Sequence, residues 1–113
     1  MTDCLFCKMV AGEITPDTVY EDDNVLAFRD ISPQAPFHVL VIPKRHISTL
    51  NDLGDDALIA GQLTLVAAKV AEQEGVAQSG YRTVMNCNAD GGQTVYHIHM
   101  HVLAGRSLAW PPG

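Results

Sequence analysis

Basic residues are scarce in this sequence. Its 113 residues include 7 Lys and Arg against 13 Asp and Glu, which gives a formal net charge of -6. Proteins that hold a phosphate backbone use an excess of basic side chains, so nucleic acid polymers and anionic membranes are not expected partners. A small anion is still compatible with this charge, since backbone N–H groups and a few placed side chains bind it locally.

Cysteines are also few, and their number is odd. Cys4, Cys7 and Cys87 do not suit a disulfide framework, which needs pairs of cysteines and an oxidising compartment. The longest apolar runs, such as 39–42, are far shorter than the roughly 20 residues of a membrane-spanning helix. Asp3 stands where a signal peptide would have a basic region. We therefore expect a cytoplasmic protein with reduced thiols and no membrane partner.

The sequence does contain enough apolar residues for one folded core. Apolar residues make up 47% of the chain and charged residues 18%, which is typical of a globular domain and not of a disordered chain. A chain of this length supports one hydrophobic core and rarely two. We expect a single domain over residues 1–113.

The order of predicted elements indicates an α+β fold. A short helix capped by Asp3 is predicted over 4–11, and a long helix from Asp55 or Asp56 to Gly75. Strands are predicted at 18–20, 25–28, 37–42, 81–88 and 95–103. Helices and strands do not alternate regularly, so an antiparallel sheet of about five strands fits better than a parallel one.

Three of the five histidines, His97, His99 and His101, occupy alternate positions of the last predicted strand. Alternate residues share a face of a strand, so the imidazoles should lie about 7 Å apart on one side, with the intervening apolar residues on the other. Three interpretations are open: a solvated polar face, a metal site made of two or three histidines, and a phosphate-handling or nucleophilic site. The third is favoured, because imidazole can attack, donate protons and hold an anion near neutral pH.

The residues before this triad strengthen the phosphate interpretation. Gly91 and Gly92 let backbone N–H groups approach an anion, and Gln93 and Thr94 add side-chain donors. The alternative is a plain hairpin turn, for which Asp90-Gly91 is a strong signal by itself. Because three histidines follow this segment closely, the interpretation as an anion-binding loop is strengthened relative to a plain turn.

The first helix carries Cys4 and Cys7 on one face, which is half of a tetrahedral zinc site. Two small residues packing a short helix would explain the same pair. A redox dithiol is less favoured, because no βαβ unit surrounds it. Cys87, in a predicted strand, is interpreted as a buried free thiol.

Several segments together resemble the histidine triad (HIT) superfamily. The run 97–103 is similar to its H-x-H-x-H motif followed by two apolar residues. The segments that are similar to its Hint branch, the nucleoside phosphoramidases, are 28–36, 38–44, 90–93 and 110–113. His101 argues against the nucleotidyltransferase branch, where glutamine is usual at that position. The resemblance implies a HIT-like fold.

The resemblance also implies an activity, the hydrolysis of the P–N bond of purine nucleoside 5′-phosphoramidates through a covalent nucleotidyl-histidine. On this pattern His99 is the nucleophile, and its other nitrogen must donate to a fixed acceptor such as the carbonyl of His97. His101 holds the phosphate oxygens, while His38 and His97 support the orientation and protonation of the nucleophile. Thr94 replaces the Ser of eukaryotic relatives, beside the leaving amine.

A nucleotide site is implied as well. Asn86, Gly92, Gln93 and Thr94 match positions that contact the phosphate or the leaving group, and Asp30 matches the carboxylate that binds the ribose hydroxyls. The residues that match the apolar slot for the purine are Leu5, Phe6, Met9, Phe28 and Ile31. Core packing is the alternative for each apolar residue, and capping of its loop is the alternative for Asp30.

The remaining implications concern metal and assembly. In bacterial members that share the cysteine pair, His46 and His97 match the other ligands of a structural zinc ion, while the chemistry itself requires no cofactor. Hint relatives are homodimers, so we expect a homodimer whose tail, 110–113, reaches toward the partner's site. Two other functions stay open: a hydrolase of dinucleoside polyphosphates or nucleotidyl esters, and a nucleotide-binding adaptor with incidental catalysis.

Overall fold

The fold is built on an antiparallel sheet whose middle strand is covered on both faces. A computed structural model describes residues 3–113. Its strands are β1 (Thr18–Glu21), β2 (Val25–Arg29), β3 (Phe37–Pro43), β4 (Tyr81–Val84) and β5 (Met100–Ala104). Their order across the sheet is β1-β2-β3-β5-β4, and every residue of β3 is buried. The predicted α+β fold with a five-stranded antiparallel sheet is confirmed.

The long helix α2 (Ala57–Gln73) covers one face of this sheet. Asp56 caps it by accepting a hydrogen bond from the Ile59 N–H at 3.1 Å. Beyond its end, Gly75 has φ 80°, the left-handed conformation in which chains commonly leave a helix. Both ends agree with the sequence. Neither this helix nor any other within residues 3–113 is long and apolar enough to cross a membrane.

The short helix α1 (Leu5–Val10) lies against the opposite face. Its buried residue, Phe6, belongs to an apolar cluster on that face. The sheet residues of this cluster are Leu26, Phe28, Leu40 and Ile42. The prediction that Asp3 caps the helix is wrong, because the N-cap is Cys4, whose Sγ accepts the Cys7 N–H at 3.3 Å.

The segment after α2 differs from the sequence prediction. The strand predicted at 81–88 ends at Val84, and a single helical turn, α3 (Asn88–Gly91), occupies most of the predicted loop. Cys87 is the N-cap of this turn and is half-buried, so it is not the buried strand residue that was expected.

The last strand, β5, begins only at Met100, so the first two histidines of the triad precede it. The register that opposes Met100 to Val41 would next oppose His99 to Ile42 and then Ile98 to Pro43. Proline has no N–H to donate, so the hydrogen-bonded ladder cannot continue there. The Ile98 N–H instead donates to the carbonyl of Ile47 at 2.8 Å.

Side chains nevertheless alternate between faces as predicted. The apolar residues that alternate with the histidines pack in the core under α2, and they are Ile98, Met100 and Val102. On the other face, Phe6 packs edge-on to the rings of His97 and His99, with centroids 5.7 and 5.2 Å apart. The ring of His101 follows, 5.0 Å from that of His99.

Candidate active site

A cavity of about 640 Å³ lies beside the triad, between α1, β2 and the loop that follows β2. This volume is within the usual range of small-molecule sites. All residues predicted for the purine slot line it, namely Leu5, Phe6, Met9, Phe28 and Ile31. Asp30, Thr94, His99 and His101 line it too, so apolar and polar groups converge on one cavity.

Some lining residues were missed in the sequence. The segment 14–17, just before β1, contributes to the cavity although no motif marks it, because it reaches the site only through the folded connection from α1. Leu40 also lines the cavity, and strand alternation could have indicated it, since it shares a face of β3 with His38.

His99 is held with one ring nitrogen free. Its Nδ1–H donates to the backbone carbonyl of His97 at 2.9 Å, the hydrogen bond expected from the sequence. A carbonyl can only accept, so a neutral His99 carries its lone pair on Nε2. No partner for this Nε2 is found among residues 3–113, and the side chain lines the cavity. An oriented neutral imidazole of this kind is equipped for nucleophilic attack.

Hydrogen bonds also determine the protonation of His38 and His101. The Gln34 backbone N–H donates to Nδ1 of His38 at 3.0 Å, so the proton of a neutral His38 is on Nε2. That Nε2–H donates to Nδ1 of His101 at 2.9 Å. The proton of His101 is therefore on its own Nε2. The cavity thus contains the Nε2–H donor of His101 beside the free Nε2 lone pair of His99.

Burial keeps these imidazoles neutral. It lowers the pKa of His38, although the Asp30 carboxylate, 3.5 Å away, acts in the opposite direction. Burial and the neighbouring His99 and His38 lower the pKa of His101 to about 4. At neutral pH the His38–His101 pair therefore donates hydrogen bonds without carrying positive charge.

Asp30 has one carboxylate oxygen engaged by its own loop. Oδ1 accepts the Ser32 N–H at 2.8 Å, which is the loop-capping role considered as the alternative. Oδ2 lies 3.5 Å from Nε2 of His38, and the residue lines the cavity. Asp30 can therefore cap the loop with one oxygen and offer the other to a ligand.

The other predicted phosphate contacts, Asn86, Gly92 and Gln93, are not among the lining residues. Gln93 is buried, and its amide donates to the carbonyls of Ser48 and Val95 at 2.8 and 3.1 Å. Its Oε1 accepts the N–H of the first residue of α3 at 2.9 Å. Gly92, with φ 81°, ends that turn. Through these contacts Gln93 holds in place the segment that leads to the triad.

The four predicted metal ligands lie close together in the structure. They are Cys4, Cys7, His46 and His97, and their ligand atoms lie within 4.8 Å of one another. Nδ1 of His97 is 3.3 Å from Sγ of Cys4 and 3.6 Å from Sγ of Cys7, and Nδ1 of His46 is 3.3 Å from the latter. Tetrahedral zinc with its usual bond lengths separates sulfur and nitrogen ligands by about 3.5 Å. The donor set therefore fits a Cys2His2 zinc site.

The second nitrogen of each histidine supports the same interpretation. His97 donates from Nε2 to the Pro43 carbonyl at 2.8 Å, which leaves Nδ1 unprotonated toward the thiols. Nε2 of His46 is 3.2 Å from the Ser48 hydroxyl. Burial lowers the pKa of His97 and raises that of the Cys7 thiol. With both nitrogens engaged, His97 can orient His99 through its backbone carbonyl but has no nitrogen for proton transfer.

The chain is similar to known proteins along most of its length. A family model of the HIT domain matches residues 11–108. The purine nucleoside phosphoramidase of Escherichia coli K12 is 57% identical over 105 residues, which are 92% of this chain and 88% of that protein. An uncharacterised HIT-like protein of Synechococcus elongatus is 54% identical over 112 residues, 98% of this chain and 97% of its own.

Solved structures extend the agreement to the fold. A HIT family hydrolase from Legionella pneumophila superposes with a TM-score of 0.96 at 54% identity, covering 98% of this chain and 100% of that one. A histidine triad protein from Clostridium difficile gives a TM-score of 0.93 at 47% identity, covering 96% of both chains. The resemblance read from the sequence is confirmed, and the chain belongs to the HIT family.

Proposed function

We propose that this protein hydrolyses purine nucleoside 5′-phosphoramidates at the P–N bond, through a covalent nucleotidyl-histidine on His99. The observation that carries the proposal is the pair formed by the free Nε2 of His99 and the Nε2–H of His101 in one cavity. The substrate class is supported by the 57% identical relative that is named purine nucleoside phosphoramidase.

In the first step, the Nε2 lone pair of His99 forms a bond to phosphorus while the P–N bond breaks. The electron pair of that bond leaves with the amine, which takes up a proton. The Thr94 hydroxyl, in the cavity lining, is available to deliver this proton from solvent. Positive charge that develops on the imidazole is stabilised by its Nδ1–H bond to the His97 carbonyl.

His101 contributes to the same step by donating its Nε2–H to a non-bridging phosphate oxygen. The donor is oriented before substrate arrives, because His38 holds Nδ1 of His101 and the Gln34 N–H holds His38. In the second step, water attacks phosphorus and gives up one proton to solvent, the N–P bond breaks with its electron pair returning to Nε2, and AMP leaves with neutral His99 restored.

Nucleotide binding is assigned to the rest of the cavity. The apolar residues between α1 and β2 accept the purine, with Phe6 and Phe28 in edge contact at 5.5 Å. The free oxygen of Asp30 accepts from the ribose hydroxyls.

We also propose that Cys4, Cys7, His46 and His97 hold a structural zinc ion. Four protein ligands leave no open coordination position, so the ion would fix structure and take no part in the reaction. Its effect would be to immobilise the side chain of His97. The backbone carbonyl of the same residue orients the nucleophile.

A cytoplasmic homodimer completes the proposal. Reduced thiols at the cluster suit a reducing compartment. The edge of the sheet at β4 offers strand pairing to a second copy, which would join two sheets into one. Sedimentation as a monomer would contradict this assembly.

The decisive experiment is to trap the protein with an AMP–amine substrate, quench it with base and measure the intact mass. We expect a chain heavier by one AMP, with the label on His99 after digestion. The matched control is His99→Ala, which should bind nucleotide without label or turnover. A label on another residue, or turnover by the control, would contradict the mechanism.

Substrate comparison separates the alternatives. Faster hydrolysis of a diadenosine polyphosphate than of any AMP–amine would favour the nucleotidyl ester hydrolase. Unaltered cellular function of His99→Ala would favour a nucleotide-binding adaptor.

A further inference from the structure

Arg106, which lies just after β5, reaches the loop that joins β2 to β3. Its Nη2 donates to the backbone carbonyl of Gln34 at 3.1 Å, and its Nη1 donates to the carbonyl of Ser107 at 3.2 Å. Arg106 takes part in none of the ion pairs found among residues 3–113. Its guanidinium is therefore directed to backbone carbonyls, one of which belongs to a loop beside the candidate active site.

The loop, 31–36, is attached to the active site at both ends. It begins after Asp30 and leads into β3 just before His38, and the Asp30 N–H donates to the His38 carbonyl at 3.0 Å. All of its residues except Ala35 are exposed. Burial therefore does little to fix this loop, and its conformation depends on hydrogen bonds and on a few close contacts.

Two consecutive residues after β5 hold this loop. A Cβ on Gly105 would lie 2.8 Å from Cβ of Pro36, and Gly105 has φ 92°, so only glycine permits this close approach of the two segments. Arg106 then bonds the carbonyl of Gln34, two residues before Pro36. Within the part of the chain that the structure describes, no other residue outside the loop donates a hydrogen bond to a carbonyl of 31–36.

Gln34 is also the residue whose N–H orients His38. That N–H donates to Nδ1 of His38 at 3.0 Å, and the Nε2–H of His38 donates to Nδ1 of His101 at 2.9 Å. If the Gln34 N–H moved away, Nδ1 of His38 could carry the proton instead. Nε2 of His38 would then accept from Nδ1–H of His101, and Nε2 of His101 would offer the cavity a lone pair in place of its N–H.

We propose that Arg106 is a positioning residue which, by holding the Gln34 carbonyl, keeps the Gln34 N–H on His38 and thereby keeps the donor proton of His101 in the cavity. Arg106 does not line the cavity, so it acts on the site only through the loop. The effect on hydrolysis rests on the proposed phosphoramidase function, whereas the effect on the histidine protons does not.

The first measurement locates the histidine protons by ¹H–¹⁵N NMR of the imidazole nitrogens at neutral pH. In the wild type, we expect His38 to be protonated at Nε2 and not at Nδ1. In Arg106→Met, which has no donor, a second population with a proton on Nδ1 should appear. Arg106→Lys retains a donor for the Gln34 carbonyl and should restore most of the wild-type signal.

Two substitutions of Gln34 calibrate this spectrum. Gln34→Pro has no backbone N–H and gives the signal of His38 when the contact is lost. Gln34→Ala keeps the N–H and removes only the side-chain bond to the Ser32 carbonyl, so its His38 should resemble the wild type. The control for loss of a surface charge is Lys69→Met, because Lys69 stands over Tyr20 and belongs to α2, on the opposite face of the sheet.

The second measurement is the hydrolysis of AMP joined to methylamine. We expect kcat to fall about fivefold in Arg106→Met, equivalent to the roughly 1 kcal/mol of one hydrogen bond. KM should change by less than about twofold, because the displaced His101 proton would stabilise charge that develops in the transition state. Arg106→Lys should retain most of the wild-type kcat, and Lys69→Met should retain all of it.

The outcomes are distinguishable. Wild-type His38 signals in Arg106→Met, with native circular dichroism, would overturn the positioning role, and so would an equal loss of kcat in Lys69→Met. A proton on Nδ1 of His38 with unchanged kcat would overturn the contribution to hydrolysis. Arg106→Gln, whose shorter side chain falls short of the Gln34 carbonyl, repeats the test if Arg106→Met does not fold. If the wild type hydrolyses no AMP–amine, the proposed function fails, and the NMR measurement alone still decides whether Arg106 fixes the proton of His38.

Discussion

Replacement of Gln93 by methionine distinguishes a phosphate contact from a positioning role. The buried amide makes three hydrogen bonds, to the carbonyls of Ser48 and Val95 and from the N–H of Asn88. Methionine has a similar shape but leaves all three backbone groups without their partner. A hydrogen bond of this kind contributes about 1 kcal/mol net, so Gln93→Met should lower the free energy of unfolding by about 3 kcal/mol.

This loss is large for a domain of this size, whose total stability is expected to be about 5–15 kcal/mol. Urea unfolding followed by circular dichroism measures it directly. Activity should fall as well, because Thr94 and Val95 line the cavity and would no longer be tied to the segment at Ser48.

The matched control is Thr94→Val, which removes a hydroxyl in the cavity at nearly constant volume. Its stability should change by less than about 0.5 kcal/mol while turnover falls, whereas Gln93→Met should lower both stability and turnover. Wild-type stability in Gln93→Met, together with a raised KM, would refute the positioning argument and restore Gln93 as a phosphate contact.

Three further predictions concern the ribose, the metal and pH. Asp30→Ala should raise KM for ribonucleotide substrates with little change in kcat, since a ribose contact stabilises ground and transition states equally; an equal loss with 2′-deoxy substrates would exclude a 2′-hydroxyl contact. Protein purified without chelator should contain one zinc per chain by elemental analysis, and metal that persists after Cys4→Ser with Cys7→Ser would exclude the Cys2His2 site. His101 has its pKa lowered to about 4 in the folded protein, so the unfolded chain binds its proton first, and stability should decrease as pH falls from about 6.5 to 4. His101→Asn should flatten this part of the stability profile, and an unchanged profile would refute the burial argument.

Elements with local signals were predictable from the sequence. The ends of α2 follow from Asp56, which accepts a backbone N–H, and from Gly75, which adopts a left-handed conformation. The HIT fold, its sheet and the facing of the triad followed from motif and alternation. The helix ends and the alternation depend on residues close together in sequence, whereas the HIT fold followed from the resemblance of several segments to a known family.

Features that depend on distant residues were not predictable in this way. The start of β5 is set by Pro43, which lies on the neighbouring strand β3 and has no backbone N–H to donate. The N-cap of α1 is Cys4 and not the predicted Asp3, and the Cys4 thiol contacts a histidine 93 residues away. Gln93 matched a phosphate contact by position, but its buried amide faces the carbonyl of Ser48. The sequence alone does not show whether the Gln93 amide contacts a phosphate or a backbone carbonyl; only the folded chain does.

The short helix α1 has a consequence for nucleotide affinity. Six residues are too few to form a stable helix in water, so the order of α1 comes from what it contacts. Cys4 and Cys7 attach it to His46 and His97 on one side, while Leu5 and Phe6 line the cavity on the other. Whatever loosens the thiol–imidazole cluster therefore removes one side of the cavity proposed to bind the purine. Under the proposed function, nucleotide affinity should therefore report on the integrity of this cluster, although none of its four residues lines the cavity.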